Sequence, residues 1–461
     1  MRHTVIRSQM IIQSLAFAAA LFLTACTPSS PADPPSDTNN KPLVDTLATS
    51  VEDARVQTGA EVLITDRMDL LKNKRIAIVA NHTSLVFGTL EKPGVHLVDS
   101  LHARGINITK VFAPEHGFRG DQDAGKHISN STDEKTGIKI ESLYGKHKKP
   151  SAAQLADVDL VLFDIQDVGA RFYTYISSMS YVMEACAEQN IAVVILDRPN
   201  PNGWYVEGPV MEDPFKSFIG MHNVPTVHGM TVGEYALMVN GQGWLADGQR
   251  CPLDVIKCKD YKHEMKWAET GLPWVAPSPN LATEYSAYIY PMLCWFEGLN
   301  VSVGRGTEAP FEVLGAPWHK GYAYQLKKDS VKEFETASMI SLYGLEAQYL
   351  KFTPRSTPGK SMYPDFKDKV CYGIQFKNRV NGEKLFMAGL SLLKNFQEEA
   401  NNTGQSTKLF QGSFNQLMGN NSVKASIRKG ETEQAIYDSW QPSLGRYMTM
   451  RKNYLLYPDF H

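Results

Sequence analysis

Four short segments in the first half of the chain are apolar at nearly every position and predict buried strands. They span residues 75–81, 108–114, 158–165 and 191–198. Continuous apolar runs, as opposed to alternating ones, are typical of parallel strands that are covered on both faces. Two segments with helical periodicity, residues 94–105 and 173–190, lie between these runs. The alternation predicts an α/β fold built on a doubly wound, mostly parallel, Rossmann-like sheet.

The pattern changes near residue 310. From there to the C-terminus, helical and strand-like segments are mixed. This predicts a smaller mixed α/β domain over residues 311–461, after a Rossmann-like domain over residues 59–310. Ligand sites are common between domains, so we expect a cleft at this junction.

The N-terminus has the pattern of an export signal. Two arginines precede an apolar run at residues 15–23, which is shorter than the ~20 residues of a membrane-spanning helix. The sequence "LTAC" that ends at Cys26 resembles the lipidation box of bacterial lipoproteins, with a plain secretory signal as the alternative. Residues 27–58 are rich in proline and serine and predict a tether. We therefore expect a signal peptide over residues 1–26 and an exported lipoprotein, anchored in a membrane and facing the periplasm or the cell surface.

Composition and spacing exclude several classes of protein. The chain has 461 residues, 21% of them charged, and a net charge of −2, with no basic stripe that would bind nucleic acid. Nucleotide-binding, zinc-peptidase and serine-hydrolase motifs are absent, and residues 121–125 only faintly resemble a calcium loop. Five cysteines follow Cys26 at irregular spacing and predict neither a disulfide framework nor a zinc site, although Cys251 and Cys258 could pair. We expect no cofactor and no metal.

Polar side chains follow each of the four predicted strands. These residues are Asn81 and His82; Glu115, His116 and Arg119; Asp164, Gln166, Asp167 and Arg171; and Asp197, Arg198 and Asn200. Doubly wound sheets bind ligands outside the carboxyl ends of their strands, so these clusters predict a single site. A second polar region, residues 277–318, places Arg305 between Gly304 and Gly306, where the backbone can approach a ligand closely.

Several long motifs resemble one known family. They are, in chain order, "PEHGFRG", "FDIQDVGARFYTYI", "LDRPNPNG", "VEGPV", "PTVHGMTVGE", "PSPN" and "FEGLNVSVGRGTEAPFEVLGAP". From about residue 60 to the C-terminus they resemble the exo-β-N-acetylmuramidases of bacterial cell-wall turnover. The resemblance implies a Rossmann-like glycoside hydrolase that releases N-acetylmuramic acid (MurNAc) from the non-reducing ends of peptidoglycan fragments. Val303 departs from the family, in which an acidic residue is frequent at this position. If that acid contributes to substrate choice, the departure affects the substrate specificity and not the type of reaction.

The resemblance implies that Glu115, the glutamate of "PEHG", is the catalytic residue. Glycoside cleavage needs a proton on the leaving oxygen and, in the usual mechanism, a second carboxylate, for which Asp167, Glu297 and Asp164 are candidates. The 2-acetamido group of MurNAc could replace that carboxylate, as in substrate-assisted glycosidases. The structural alternative for Glu115 is an ion pair with Arg119 that fixes the loop.

Substrate contacts are expected from polar and aromatic residues at the same rim. The candidates are His116, Arg119, Gln166, Arg171, Tyr173, His228, Asn280, Arg305 and Thr307. An arginine is the natural bidentate partner of the lactyl carboxylate of MurNAc, and Arg305 is preferred over Arg171 and Arg119. Each arginine could instead hold a neighbouring acid, and His228 could be a core residue bonded to backbone. A lipoprotein that binds muropeptides without cleaving them is the alternative function.

Overall fold

The computed structural model describes residues 55–120, 131–145, 147–329, 332–333, 338–380 and 382–460. The predicted signal peptide with Cys26, residues 27–54 of the predicted tether and the segment 121–125 lie outside this part of the chain. Among the described residues, no helix combines the length and the hydrophobicity that crossing a membrane requires.

Helices and strands alternate through the first half of the chain. The strands are β1 (Ile76–Ala80), β2 (Leu85–Val86), β3 (Val95–His96), β4 (Ile108–Ala113), β5 (Ser131–Thr132), β6 (Lys139–Ser142), β7 (Leu160–Asp164), β8 (Ala192–Leu196), β9 (Leu253–Ile256), β10 (Val313–Ala316), β11 (Met339–Leu342), β12 (Leu345–Phe352) and β13 (Cys371–Phe376). The α-helices are α1 (Gly59–Asp66), α2 (Leu97–His102), α3 (Ala152–Leu155), α4 (Tyr175–Glu188), α5 (Val232–Gly241), α6 (Glu284–Leu293), α7 (Lys320–Asp329), α8 (Gly382–Asn402), α9 (Phe414–Met418), α10 (Ser422–Lys429) and α11 (Glu433–Arg451). Short 3-10 helices lie at Met68–Leu71, Asp213–Phe215, Ala246–Gly248, Trp267–Thr270, Cys294–Gly298 and Lys452–Tyr454.

Seven of the described strands form one sheet in the order β5-β6-β4-β1-β7-β8-β9. Neighbours are parallel except at the edge, where β5 runs antiparallel to β6. From the central β1 the chain moves to β4 and β6 on one side and then crosses to β7, β8 and β9 on the other. The carboxyl ends of β1 and β7 therefore lie side by side where the strand order reverses, with Ala80 opposite Asp164. This reversal is the signature of a doubly wound sheet.

Two core layers, one on each face of this sheet, explain the continuous apolar runs. Along β1, Ala77 and Val79 belong to one buried cluster, whereas Ile76 and Ile78 belong to the other. Successive side chains of a strand point to opposite faces, so a strand covered on both sides is apolar at every position. The four predicted strands are confirmed as β1, β4, β7 and β8, and the two predicted helices as α2 and α4.

A second, antiparallel sheet in the order β10-β13-β12-β11 belongs to the smaller C-terminal domain. Helix α8 buries Leu385, Leu392 and Phe396 in the larger core cluster, which also contains residues of the parallel sheet. The final helix α11 returns to the first domain, where the Tyr437 hydroxyl donates to Glu207 at 2.7 Å. The predicted pairing of a Rossmann-like domain with a smaller α/β domain is confirmed, while the boundary near residue 310 stays a prediction.

Five cysteines lie in the described part of the chain, and all five are free and buried: Cys186, Cys251, Cys258, Cys294 and Cys371. The pairing of Cys251 with Cys258 is not formed. Burial raises the pKa of the Cys251 thiol to about 12, which is the behaviour of an inert, structural cysteine.

Candidate active site

A pocket of about 310 Å³ opens at the carboxyl end of β4. Its wall combines the loop after β4, the start of α4, the end of α6 with the 3-10 helix that follows, and the loop that carries Arg305. The lining residues are Glu115, His116, Phe172, Tyr173, Thr174, Tyr175, Ile219, Ser278, Tyr290, Cys294, Glu297, Arg305, Ser413 and Leu417. The structure thus brings together five of the residues predicted for the site, namely Glu115, His116, Tyr173, Glu297 and Arg305.

Glu115 is half-buried on the pocket wall, two residues beyond the end of β4. The hydroxyl of Tyr144 donates to its Oε1 at 3.1 Å, and the hydroxyl of Thr174 donates to its Oε2 at 3.3 Å. Thr174 occupies the N-cap of α4 without making a side-chain capping bond, so its hydroxyl is available to the carboxylate. Both carboxylate oxygens are therefore oriented by hydroxyl groups while the carboxylate still borders the pocket.

Arg119 does not pair with Glu115. Its guanidinium donates to Asp99 at 2.7 Å and to Asp133 at 2.8 Å, and it lies 4.3 Å above the ring of Phe118. The ion pair considered as the structural alternative for Glu115 is therefore not formed. Arg119 instead ties the loop after β4 to α2, where Asp99 lies.

His116 reverses the chain direction at the pocket wall. Its φ is +73° and that of Gly117 is +77°, so two successive residues adopt the left-handed region. This conformation costs a non-glycine residue about 1–2 kcal/mol, and such strain clusters at functional sites. Burial, assisted by the charges of His82 and Arg305, lowers the pKa of His116 to about 3, and no described residue bonds its Nδ1. The unpaired Nδ1 is itself buried, and buried polar atoms of this kind are usually satisfied by ordered water.

Glu297 and Arg305 form an ion pair in the pocket wall. Arg305 Nε donates to Glu297 Oε1 at 2.5 Å, with the two side chains 31% and 27% exposed. Although burial acts in the opposite direction, the Glu297 carboxylate raises the pKa of Arg305. Within the described chain, only Nε of this guanidinium has a hydrogen-bond acceptor, so its two terminal nitrogens are available to a ligand.

Asp167 and His228 are both buried and lie outside the pocket lining. Asp167 Oδ2 accepts from the backbone N–H of Gly169 at 2.7 Å, and burial raises the pKa of Asp167 to about 7. His228 Nε2 lies 4.0 Å from Asp167 Oδ2, too far for a hydrogen bond. Asp167 Oδ1, His228 Nε2 and the Tyr173 hydroxyl have no partner among the described residues. Buried polar atoms of this kind are the usual sites of ordered water.

Arg171 has a structural role. Its side chain is fully buried and donates to the carbonyls of Pro209 at 2.6 Å, Val224 at 2.9 Å and Leu417 at 2.8 Å. Burial lowers the pKa of Arg171 to about 9. These three bonds join segments of both domains and leave the guanidinium outside the pocket lining.

Three further predicted contacts also lie outside the lining and bond backbone atoms. Gln166 Nε2 donates to two carbonyls at 2.7 and 2.8 Å, and Asn280 Nδ2 donates to the carbonyl of Lys360 at 3.2 Å. The Thr307 hydroxyl donates to the carbonyl of Gly304 at 2.6 Å and so fixes the loop that carries Arg305. As substrate contacts, these residues stay predictions.

Tyr144 and Thr174 are site residues that sequence reasoning missed. Thr174 could have been identified from the sequence, because it stands at the start of a predicted helix. Tyr144 could not have been identified, because its position depends on the parallel pairing of β6 with β4, in which Ala113 lies opposite Ser142. Two residues further along each strand, this register brings Tyr144 beside Glu115.

No metal site is apparent in the described chain, where no group of three or more His, Cys, Asp and Glu side chains could hold an ion. The pocket wall itself combines one oriented carboxylate, one ion pair, a neutral imidazole and several aromatic rings. Such a set can donate a proton, bind an anion and contact the apolar faces of a ring.

Family models match nearly all of the described chain. The model of the N-terminal domain of the exo-β-N-acetylmuramidase NamZ matches residues 76–285, and that of the C-terminal domain matches residues 288–457. The peptidoglycan β-N-acetylmuramidase NamZ of Bacillus subtilis (strain 168) is 38% identical over 407 residues, which cover 87% of this chain and 92% of that protein.

Two crystal structures of DUF1343 family proteins from Bacteroides fragilis NCTC 9343 share the fold. One has a TM-score of 0.71 and 38% identity, covering 88% of this chain and 99% of the other. The second has a TM-score of 0.73 and 29% identity, covering 87% and 99%. The resemblance inferred from the motifs is confirmed, and a glycosidase is favoured over a non-catalytic binding protein. The chain belongs to the exo-β-N-acetylmuramidase NamZ family.

Proposed function

We propose that this protein is an exo-acting glycoside hydrolase that releases MurNAc from the non-reducing ends of peptidoglycan fragments, with Glu115 as the catalytic acid. The observation that carries this assignment is the Glu115 carboxylate, which borders the pocket with both oxygens oriented by Tyr144 and Thr174. The Bacillus subtilis relative bears the name of a peptidoglycan β-N-acetylmuramidase, which supports the substrate class.

In the proposed reaction, protonated Glu115 gives its proton to the oxygen that joins MurNAc to the next sugar. The bond between that oxygen and the anomeric carbon then breaks, and water supplies the new hydroxyl of MurNAc. Of the candidate second carboxylates, Glu297 lines the pocket, whereas Asp167 and Asp164 do not. Asp164 is fully buried, and Arg198 donates to both of its oxygens at 2.6 and 2.9 Å.

Within this proposal, Arg305 binds the lactyl carboxylate of MurNAc. Its Nε is held by Glu297, which fixes the orientation of the guanidinium, while the terminal nitrogens have no acceptor in the described chain. A planar guanidinium with two free parallel donors matches a carboxylate. Arg119 and Arg171 are already bonded to carboxylates and carbonyls, respectively, which supports the choice of Arg305.

The test is an assay of the purified protein with the disaccharide MurNAc-β-1,4-N-acetylglucosamine. We expect release of free MurNAc, and a loss of roughly 10²- to 10⁴-fold in kcat for Glu115→Gln with an unchanged Tm. Glutamine keeps the shape of the side chain and removes the proton donor. Binding of the disaccharide without cleavage by the parent protein would favour a muropeptide-binding function instead.

We also propose that the mature protein is a lipoprotein attached to a membrane through Cys26. The support is the sequence alone: the basic start, the apolar run at residues 15–23, the "LTAC" box and residues 27–54 of the predicted tether. Residues 55–58, which the prediction included in the tether, belong to the folded body, where Val56 is buried and Thr58 caps α1. Cys26→Ser should move the protein from the membrane fraction to the soluble fraction of the exporting cell. An unchanged distribution would contradict the lipid anchor and leave the enzymatic assignment untouched.

A further inference from the structure

The segment between β12 and β13, residues 353–370, packs on the loop that carries Arg305 and is called the outer loop here. The backbone N–H of Arg355 donates to the carbonyl of Gly306 at 2.8 Å. Gly306 has a φ of +78°, and a Cβ there would come within 2.6 Å of the Pro364 ring. The outer loop therefore packs directly on Gly306, the neighbour of the pocket-lining Arg305.

Two further observations relate the outer loop to residues near the pocket. Asn280 Nδ2 donates to the carbonyl of Lys360 at 3.2 Å. Burial raises the pKa of Asp365. The negative charge of Glu297 adds to this rise, and the positive charge of Arg305 opposes it. Asp365 thus lies within electrostatic reach of the ion pair that lines the pocket.

The outer loop is held in one shape by its own hydrogen bonds. The backbones of Thr357 and Ser361 exchange two hydrogen bonds, at 2.8 and 2.9 Å. The backbone N–H of Asp368 donates to the carbonyl of Pro354 at 2.8 Å, which closes the base of the loop. A preorganised loop loses little conformational entropy when it binds a ligand.

This ordered loop exposes two large side chains. Tyr363 is 89% exposed and Met362 is 36% exposed. Tyr363 immediately precedes Pro364, the residue that packs on Gly306. A tyrosine ring has an apolar face and a polar tip, and a pyranose ring likewise has an apolar C–H face and polar edges, so the two surfaces match.

We propose that Tyr363 binds the sugar on the reducing side of the cleaved bond, with its ring against the apolar face of that sugar. This inference rests on the proposed function, in which MurNAc occupies the pocket beside Glu115 and the next sugar lies at the mouth. At about 310 Å³, the pocket is at the lower end of the range for ligand sites, which suits one sugar residue. The second sugar then needs a surface outside the pocket, and the outer loop provides one.

The experiment measures binding without turnover, by calorimetry in the Glu115→Gln background. Adding Tyr363→Ala should raise the Kd of MurNAc-β-1,4-N-acetylglucosamine about three- to tenfold and leave the Kd of free MurNAc unchanged. Tyr363→Phe keeps the ring and should change neither value by more than about twofold. Tyr324→Ala, which removes a 72% exposed tyrosine from α7, is the matched control and should have no effect.

An unchanged Kd for the disaccharide in Tyr363→Ala would overturn the inference. An equal rise in both Kd values would also overturn it, because Tyr363 would then act on the MurNAc pocket. The assay of the parent protein separates the two proposals: cleavage of the disaccharide establishes the enzyme whatever Tyr363 does. Failure of Glu115→Gln to bind the disaccharide would count against both.

Discussion

Two polar regions at the same edge of the parallel sheet differ in how completely their groups are paired. In the β8 network, which consists of Asp197, Glu234 and His263, every polar side-chain atom has a partner and all three side chains are fully buried. In the pocket wall, by contrast, His116 Nδ1 and the terminal nitrogens of Arg305 have no acceptor or donor in the described chain. Position at a strand end predicts polarity in both regions, and only the pairing separates a structural network from a ligand site.

The β8 network holds the C-terminal tail against the sheet. Asp197 accepts from the Tyr457 hydroxyl at 2.6 Å, and Glu234 accepts from the backbone N–H of Leu456 at 2.7 Å. Burial raises the pKa of Asp197 to about 6. Such a network has no donor or acceptor left for a substrate, and its role is to join distant parts of the chain.

The comparison is tested most strongly by two arginines that differ at their terminal nitrogens, which donate to backbone carbonyls in Arg171 and have no acceptor in the described chain in Arg305. Arg305→Met should lower the activity on MurNAc glycosides roughly ten- to two-hundredfold, because a charged hydrogen bond contributes about 1.5–3 kcal/mol. The poor activity on N-acetylglucosamine glycosides should stay similar or rise. Steady-state kinetics with both substrates gives this ratio directly. A proportional loss on both substrates would show that Arg305 holds the site and that another group binds the lactyl carboxylate.

Arg171→Met is the matched control for that pair. It removes a buried guanidinium that donates to three carbonyls, and unpaired buried groups cost about 1–3 kcal/mol each. The expected result is a lower free energy of unfolding, measured by denaturant titration, with an unchanged preference between the two substrates. A changed preference with normal stability would move Arg171 into the substrate site.

The pH dependence of the free energy of unfolding tests the incomplete pairing of Asp167. Its pKa is about 7 in the folded protein and ordinarily 3.8, so the folded protein binds this proton more tightly than the unfolded chain. The stability that this proton provides is complete below about pH 4 and is lost as the pH rises through about 7. Asp167→Asn cannot titrate, so its stability should improve relative to the parent by at least about 1 kcal/mol between these pH values. A stability difference that is constant with pH would contradict the assignment.

The smallest expected effect concerns the hydroxyl that orients the catalytic acid. Tyr144→Phe removes the bond to Glu115 Oε1, and a hydrogen bond of this kind contributes about 0.5–1.5 kcal/mol. We expect kcat to fall about two- to tenfold while KM and Tm stay the same. A fall in Tm together with an unchanged kcat would make Tyr144 a structural residue.

The parallel sheet could be predicted because its signal is local. Strands covered on both faces are apolar at every position, and the polar residue after each strand marks the edge where ligands bind. The contribution of Tyr144 could not be predicted, because it depends on the register between β6 and β4. The structural role of Arg171 could not be predicted either, since one of its acceptors, the carbonyl of Leu417, lies 246 residues further along the chain.

The central claim, that Glu115 protonates the leaving oxygen, is tested most directly by changing the leaving group. The measurement compares Glu115→Gln with the parent on MurNAc-β-1,4-N-acetylglucosamine and on the 2,4-dinitrophenyl glycoside of MurNAc, whose leaving group departs without a proton. The account predicts a loss of at least about 10²-fold on the disaccharide and a loss below about tenfold on the dinitrophenyl glycoside. Equal losses on the two substrates would contradict it, because the contribution of Glu115 would then be independent of proton transfer to the leaving oxygen.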